Sequence, residues 1–174
     1  VHCFPLNHRI DCSGFIFREK PKKRRIDKTQ LKEGISPLKI IKLRDGEDVI
    51  DEEGNVEYEN KMVTFPPSPS RSYAFCSDTK YDESIIPYIE GIDMLYHEAT
   101  FMMDMVERAA KTFHSTTIDA ATIAKKANVG QLLIGHFSAR FKDLKDHLDE
   151  AIDVFPKTKL AEDGKKFSVE LDRD

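Results

Sequence analysis

"YHEATFMMDMVERAAKTFHSTTIDAATIAKKANVGQLLIGHFSARF", residues 96–141, places histidines at 97, 114 and 136, each where an expected helix or strand stops. "IDMLYHEAT" (92–100) reads as a buried strand ending at His97, and "VGQLLIGHFSARF" (129–141) as another ending at His136. Between them Ile118, Ala121, Ala124 and Ala127 recur at helical spacing, and Thr116 with Asp119 makes an N-terminal capping pattern. A further helix is expected over 103–113. Strands alternating with helices predict an α/β fold, in which sites are built outside the carboxyl ends of the strands. Here each of those ends carries a group able to do chemistry.

Working outward, "SYAFCSDT" (72–79) predicts a strand that runs into Asp78, and "DESIIPYIEG" (82–91) a short helix interrupted by Pro87. A helix near 143–154 and a last strand near 166–171 complete the alternation. Toward the N-terminus, "HRIDCSGFIF" (8–17) mixes apolar, aromatic and β-branched residues and reads as a strand, with Gly14 a candidate bulge. The chain starts without Met, in what already reads as a strand, the pattern of a piece of something longer. Residues 18–71 differ in character. Asp27 with Gln30 opens a short helix ended by Gly34; Ser36 and Pro37 open another stopped by Gly46. A turn at Glu53-Gly54-Asn55 and the Pro/Ser stretch "PPSPSRS" follow, so the segment is expected to be an inserted, loop-rich arm.

At 174 residues and 40% hydrophobic content the chain can bury one real core. No apolar run is long enough for a membrane helix, and "VHCFPLNHRI" lacks the basic start and apolar middle of a secretion signal, so a cytoplasmic address is expected. Cys3, Cys12 and Cys76 show no CxxC spacing and read as buried free thiols. A formal net charge of -4 argues against indiscriminate coating of nucleic acid, yet "REKPKKRR" (18–25) concentrates six cations, among them Lys20, Lys22, Lys23, Arg24 and Arg25. His2 and His147 have no motif around them and read as ordinary surface residues.

Neutral imidazole and carboxylate are the usual zinc ligands where thiolate is absent. A shared aspartate can bridge two ions about 3.5–4 Å apart, the spacing of two-metal phosphoryl-transfer sites. The ordered motifs "CSDT" (76–79), "HEAT" (97–100), "HST" (114–116) and "GHFSAR" (135–140), with "LAEDG" (160–164) near the end, resemble the later motifs of the ribonuclease Z family. That family contains zinc endonucleases that trim the 3′ ends of precursor tRNA, within the metallo-β-lactamase superfamily. The resemblance implies metal-binding roles for His8, Asp78 and His136, and a catalytic role for His114 over the scissile phosphate. His97 and Glu98 would orient ligands or the HST loop from behind. Ser138 and Arg140 would contact backbone phosphates, and the basic arm would grip the tRNA body. It also implies two zinc ions per subunit and a homodimer.

The family's main signature, His-x-His-x-Asp-His, is absent. The expectation is therefore the C-terminal half of a metallo-β-lactamase αββα sandwich, one sheet layer with its helices plus the inserted arm. Such a portion would bind zinc weakly or not at all and be inactive alone. The arm's expected Gly/Pro-rich tip is reduced here to "GISPLK" (34–39). Two other readings stay open: a different hydrolase of the same superfamily, or a non-catalytic binding or assembly module.

Overall fold

A computed structural model describes residues 1–171. Along the chain lie β1 (His2–Leu6) and β2 (Cys12–Arg18), then a segment with β3 (Arg25–Ile26), α1 (Pro37–Asp45), β4 (Val49–Ile50), β5 (Val56–Tyr58), α2 (Asn60–Val63) and β6 (Thr64–Phe65). After it come β7 (Ser72–Cys76), α3 (Ile86–Ile89), β8 (Met94–Glu98), α4 (Val106–Thr112), α5 (Thr117–Lys126), β9 (Leu132–Gly135), α6 (Lys145–Val154) and β10 (Thr158–Leu160). They fall into two compact units, Val1–Arg18 with Arg71–Asp174, and Glu19–Ser70.

The first unit is one six-stranded sheet in the order β1-β2-β7-β8-β9-β10. β1, β2 and β7 pair antiparallel, and β7 through β10 run parallel. Strand alternation sends Ile16, Ala74 and Leu95 to one face, where they join Ala120, Ala121, Ile123 and Ala124 of α5 and Ala151 of α6 in the main core. Small residues on α5 let the helix approach the sheet closely. The opposite face carries an aromatic row: Phe15 pairs with Phe75, Phe75 with Tyr96, and Tyr96 with Leu133. Phe15 and Phe17 on that face are 40% and 44% exposed.

Several sequence expectations need correction. Residues 8–10 form bends rather than strand: the predicted strand begins only at Cys12, and His8 stands in the hairpin loop after β1. Gly14 is no bulge but pairs with Phe4, and a Cβ on Gly14 would lie 2.4 Å from Phe4 Cζ. Glycine is required because the Phe4 ring lies over it. Pro87 sits in the first turn of α3 and does not interrupt it, since that turn needs no proline N–H. No strand forms at 166–171; the last strand is Thr158–Leu160, whose register places Lys159 beside Leu133 on the parallel edge. Of the cysteines only Cys76 is buried, its thiol pushed up to about 12 by desolvation, while Cys3 is exposed. Among the described residues no helix is long and apolar enough to cross a membrane.

The second unit has its own small core of Leu43, Val49, Tyr58 and Val63, with Ile26, Leu31 and Ile35 against it. Its α1 begins as read: the Ser36 hydroxyl accepts from Leu38 N–H, Pro37 follows, and Gly46 closes the helix at φ 96°. Buried Asn60 donates to the carbonyls of Leu43 and Glu47, tying α1 to α2.

Candidate metal centre

Asp78, His114 and His136 stand beyond the ends of β7, α4 and β9, with one donor atom from each lying within 4.8 Å of the others. Parallel pairing brings the carboxyl ends of β7, β8 and β9 side by side, so residues far apart in sequence meet there. Gly135 permits the close approach, since a Cβ there would meet the Tyr96 hydroxyl at 2.5 Å. His136 then turns the chain at φ 61°, a left-handed conformation that a non-glycine residue holds only under local constraint.

Glu98 organises the cluster. Its carboxylate is fully buried and accepts from Thr79 N–H, Thr100 N–H, the Thr100 hydroxyl and His114 Nδ1. Because Oε1 can only accept from His114, that ring carries its proton on Nδ1 and leaves Nε2 free. His8 follows the same rule. Phe113, at φ 60° in the left-handed cap of α4, turns its carbonyl to accept from His8 Nδ1 at 2.9 Å, and Nε2 is again free. The three imidazoles form a chain, with ring centroids 5.3 Å apart between His8 and His114 and 5.3 Å between His114 and His136. His136 Nδ1 lies 2.8 Å from the Thr100 hydroxyl, and its Nε2 faces Asp78 Oδ1 at 3.3 Å.

The remaining expected residues are placed as follows. His97 is buried on the helix side of β8, bonds the Glu98 carbonyl through Nδ1, and has its pKa lowered by desolvation, so it does not join the cluster. Ser138 donates its N–H to the Thr100 carbonyl, and Arg140 is exposed. His147 is a correction: it is 1% exposed, wedged between the Phe137 and Phe141 rings, with neither ring nitrogen hydrogen-bonded. With no motif around it, it reads from the sequence as an ordinary surface residue; the loop after β9 closes two aromatic rings over it instead. Thr100 and Thr79 were missed by sequence reasoning, although Thr100 is the last letter of "HEAT" and the signal was in view.

In the second unit, Lys22 pairs with Glu19, Lys23 with Asp45, and Arg24 bonds the Thr64 hydroxyl. Arg25 donates to the Pro66 carbonyl and lies over the Phe65 ring, and Lys20 is exposed.

A donor set of imidazole nitrogen and carboxylate oxygen suits Zn²⁺. The 3.3 Å between His136 Nε2 and Asp78 Oδ1 is close to the edge of a tetrahedron whose ligands stand about 2.0–2.1 Å from zinc. The residues present therefore fit a zinc ion.

No protein-family model matches the chain. It is 48% identical over 169 residues to the ribonuclease Z of Cytophaga hutchinsonii and 44% identical over 170 residues to that of Parabacteroides distasonis. Both matches cover 97% of the chain and 54% and 56% of the relatives, so the chain spans about half the length of the curated relatives it matches, consistent with a C-terminal portion. Among solved structures it superposes on the metallo-beta-lactamase fold protein YhfI from Bacillus subtilis with a TM-score of 0.58 at 21% identity, covering 94% of this chain and 47% of that one. It superposes on the short form of human tRNase Z with a TM-score of 0.54 at 21% identity, covering 97% and 42%. By structure the chain has the metallo-β-lactamase fold, and by sequence it is similar along nearly its whole length to about half of each of these ribonuclease Z proteins.

Proposed function

We propose that the chain forms the C-terminal portion of a zinc-dependent endoribonuclease that cleaves precursor tRNA to its mature 3′ end, acting in the cytoplasm as a homodimer. The observation that carries this is the convergence of Asp78, His114 and His136 at the strand ends, in a sequence 48% identical to a ribonuclease Z. Asp78 and His136 would hold zinc, with His8 serving a second ion that Asp78 shares. Zinc there would supply Lewis-acid polarisation of the scissile phosphate and a lowered water pKa.

The chain's own residues do the rest. Glu98 holds His114 through Nδ1, so that when the ring is an imidazolium Nε2 is the atom that would give up its proton to the departing 3′ oxygen, leaving the neutral ring with its remaining proton on Nδ1. Thr79 N–H and the Ser115 hydroxyl, which donates to the Thr79 carbonyl, pin the loop bearing Asp78 beside the segment bearing His114. Ser138 and Arg140, on the loop after His136, would meet backbone phosphates, and Lys20, Lys22, Lys23, Arg24 and Arg25 would meet the tRNA body. With three candidate donors for two ions, the chain alone should bind zinc weakly and cleave nothing. A second reading has its own observation: a ring nitrogen of His114 lies within 4.8 Å of donor atoms on Asp78 and His136, and His114 could bind metal rather than move a proton.

The test is a chimera in which this chain replaces the matching span of the Cytophaga relative. Zinc-dependent release of the 3′ trailer from precursor tRNA, lost with Asp78→Ala, is the expected result. A folded chimera that holds zinc but leaves precursor tRNA uncut sinks the proposal and favours a different hydrolase.

A further inference from the structure

We propose that Thr100 is a positioning residue that sets the tautomer of His136, holding its proton on Nδ1 so that Nε2 faces Asp78 as a bare donor. Thr100 is 7% exposed, and its hydroxyl stands at a three-way junction. Oγ1 lies 2.8 Å from Glu98 Oε2, 2.8 Å from His136 Nδ1 and 3.0 Å from the His136 carbonyl. A hydroxyl has one proton to give. Two of its three possible acceptors, the carboxylate and the carbonyl, leave Oγ1 as an acceptor for His136 Nδ1–H. Donation to Nδ1 itself would reverse the tautomer, and the Asp78 carboxylate, 3.3 Å from Nε2, draws the proton the same way. The Glu98 carboxylate wins that competition: it stands 2.8 Å from the hydroxyl against 3.3 Å for Asp78 from Nε2, and hydrogen bonds to an ionised acceptor are about twice as strong as neutral ones.

One buried carboxylate thus directs two imidazoles, His114 by direct contact and His136 through Thr100. The same junction explains the backbone of His136. The hydroxyl and the N–H and carbonyl of Thr100 reach Glu98, the His136 ring and Ser138 N–H, so the left-handed turn at His136 is held at both ends. The His136 side chain is already 46% exposed, and in water a neutral imidazole without the Thr100 bond prefers its proton on Nε2, the atom that must be bare to ligate a cation. In the fixed tautomer two lone pairs, of Nε2 and Asp78 Oδ1, confront each other at 3.3 Å, an arrangement that becomes favourable when a cation lies between them.

The inference rests on the reading of this cluster as a metal centre, so its test separates the two. Long-range proton–nitrogen correlation on the ¹⁵N-labelled chain, free of metal and at mildly alkaline pH, reports the tautomer directly. Wild type and Thr100→Ser should show His136 protonated on Nδ1; Thr100→Val, the same shape without the hydroxyl, should shift it to Nε2. Cobalt titration of the chimera with the Cytophaga relative should then give matching affinities for the unmutated and Thr100→Ser forms, and about 10- to 100-fold weaker binding for Thr100→Val. A wild-type His136 protonated on Nε2 overturns the proposal whatever the variants do, as does a folded Thr100→Val that keeps Nδ1–H. If the tautomers behave as stated but no form of the chimera binds cobalt, the tautomer assignment stands and the metal-centre reading falls.

Discussion

At the scale of single residues the cluster divides labour between histidines of the same hydrogen-bond type. His136 faces Asp78 directly, whereas His114 leans on Glu98. In the full-length chimera His136→Ala should therefore strip zinc and abolish cleavage. His114→Ala should keep zinc, measured by atomic absorption, and slow cleavage by about 10²–10⁴-fold, the usual contribution of a general acid. Equal zinc loss in the two would make His114 a ligand. His147 supplies a prediction on stability. Burial lowers its pKa from 6.5, against the opposing pull of Glu150, Asp146 and Asp104. The unfolded chain then takes up a proton that the folded chain refuses. Stability is complete above about pH 6.5 and falls as pH drops from there through the lowered folded value. His97, also lowered by burial, acts in the same direction. Replacing His147 by Leu should shrink the loss of thermal midpoint on acidification and, by removing two unpartnered nitrogens, stabilise the fold by about 1–3 kcal/mol at neutral pH. An unchanged acid slope in His147→Leu would assign the pH dependence elsewhere.

At the scale of elements, what was legible in the sequence was local. The capping box of Thr116 and Asp119, and the Ser36-Pro37-Gly46 frame of α1, lie within a turn of the helices they define, and the structure holds both. Asp78 and His136 could be placed at strand ends because an apolar run stops where a polar group begins. What escaped was non-local. The hairpin loop at His8 depends on β1 pairing with β2, and the need for Gly14 depends on the Phe4 ring of the neighbouring strand. β10 is three residues on an edge, too short to show a period. His147 is buried by rings from a different element. The arm yields its own prediction, since four of its five named cations already have partners within Glu19–Ser70. Arg24, half-buried and bonded to Thr64, is structural as well as charged, so the clean variant is Lys20→Ala with Lys22→Ala and Lys23→Ala. If these meet tRNA phosphates, the chimera carrying them should bind precursor tRNA more weakly, with a salt slope lower by about 0.7–0.9 for each phosphate no longer neutralised. An unaltered slope would leave them as solvating charge.

At the scale of the whole molecule the sheet is covered by helices on one face, while the other presents Phe15, Phe17, Tyr73, Phe75 and Tyr96. Phe75 stacks on Tyr96 at 4.7 Å and Phe17 on Tyr73 at 6.0 Å, so rings on neighbouring strands brace one another across this face. Aromatic surface of this kind, on a sheet face with Phe15 and Phe17 still about two-fifths exposed, favours association, because each ring that leaves water contributes roughly 1.5–3 kcal/mol when fully buried. Rings already fixed by stacking also lose little rotamer freedom on association. The 174-residue chain should therefore be a dimer or larger assembly by light scattering at tens of micromolar. Phe15→Ser with Phe17→Ser, on the exposed side of β2, should shift it toward monomer with circular dichroism unchanged. A wild-type chain that stays monomeric at that concentration would mean the aromatic face tolerates water, and any homodimer of the proposed nuclease must then use another surface.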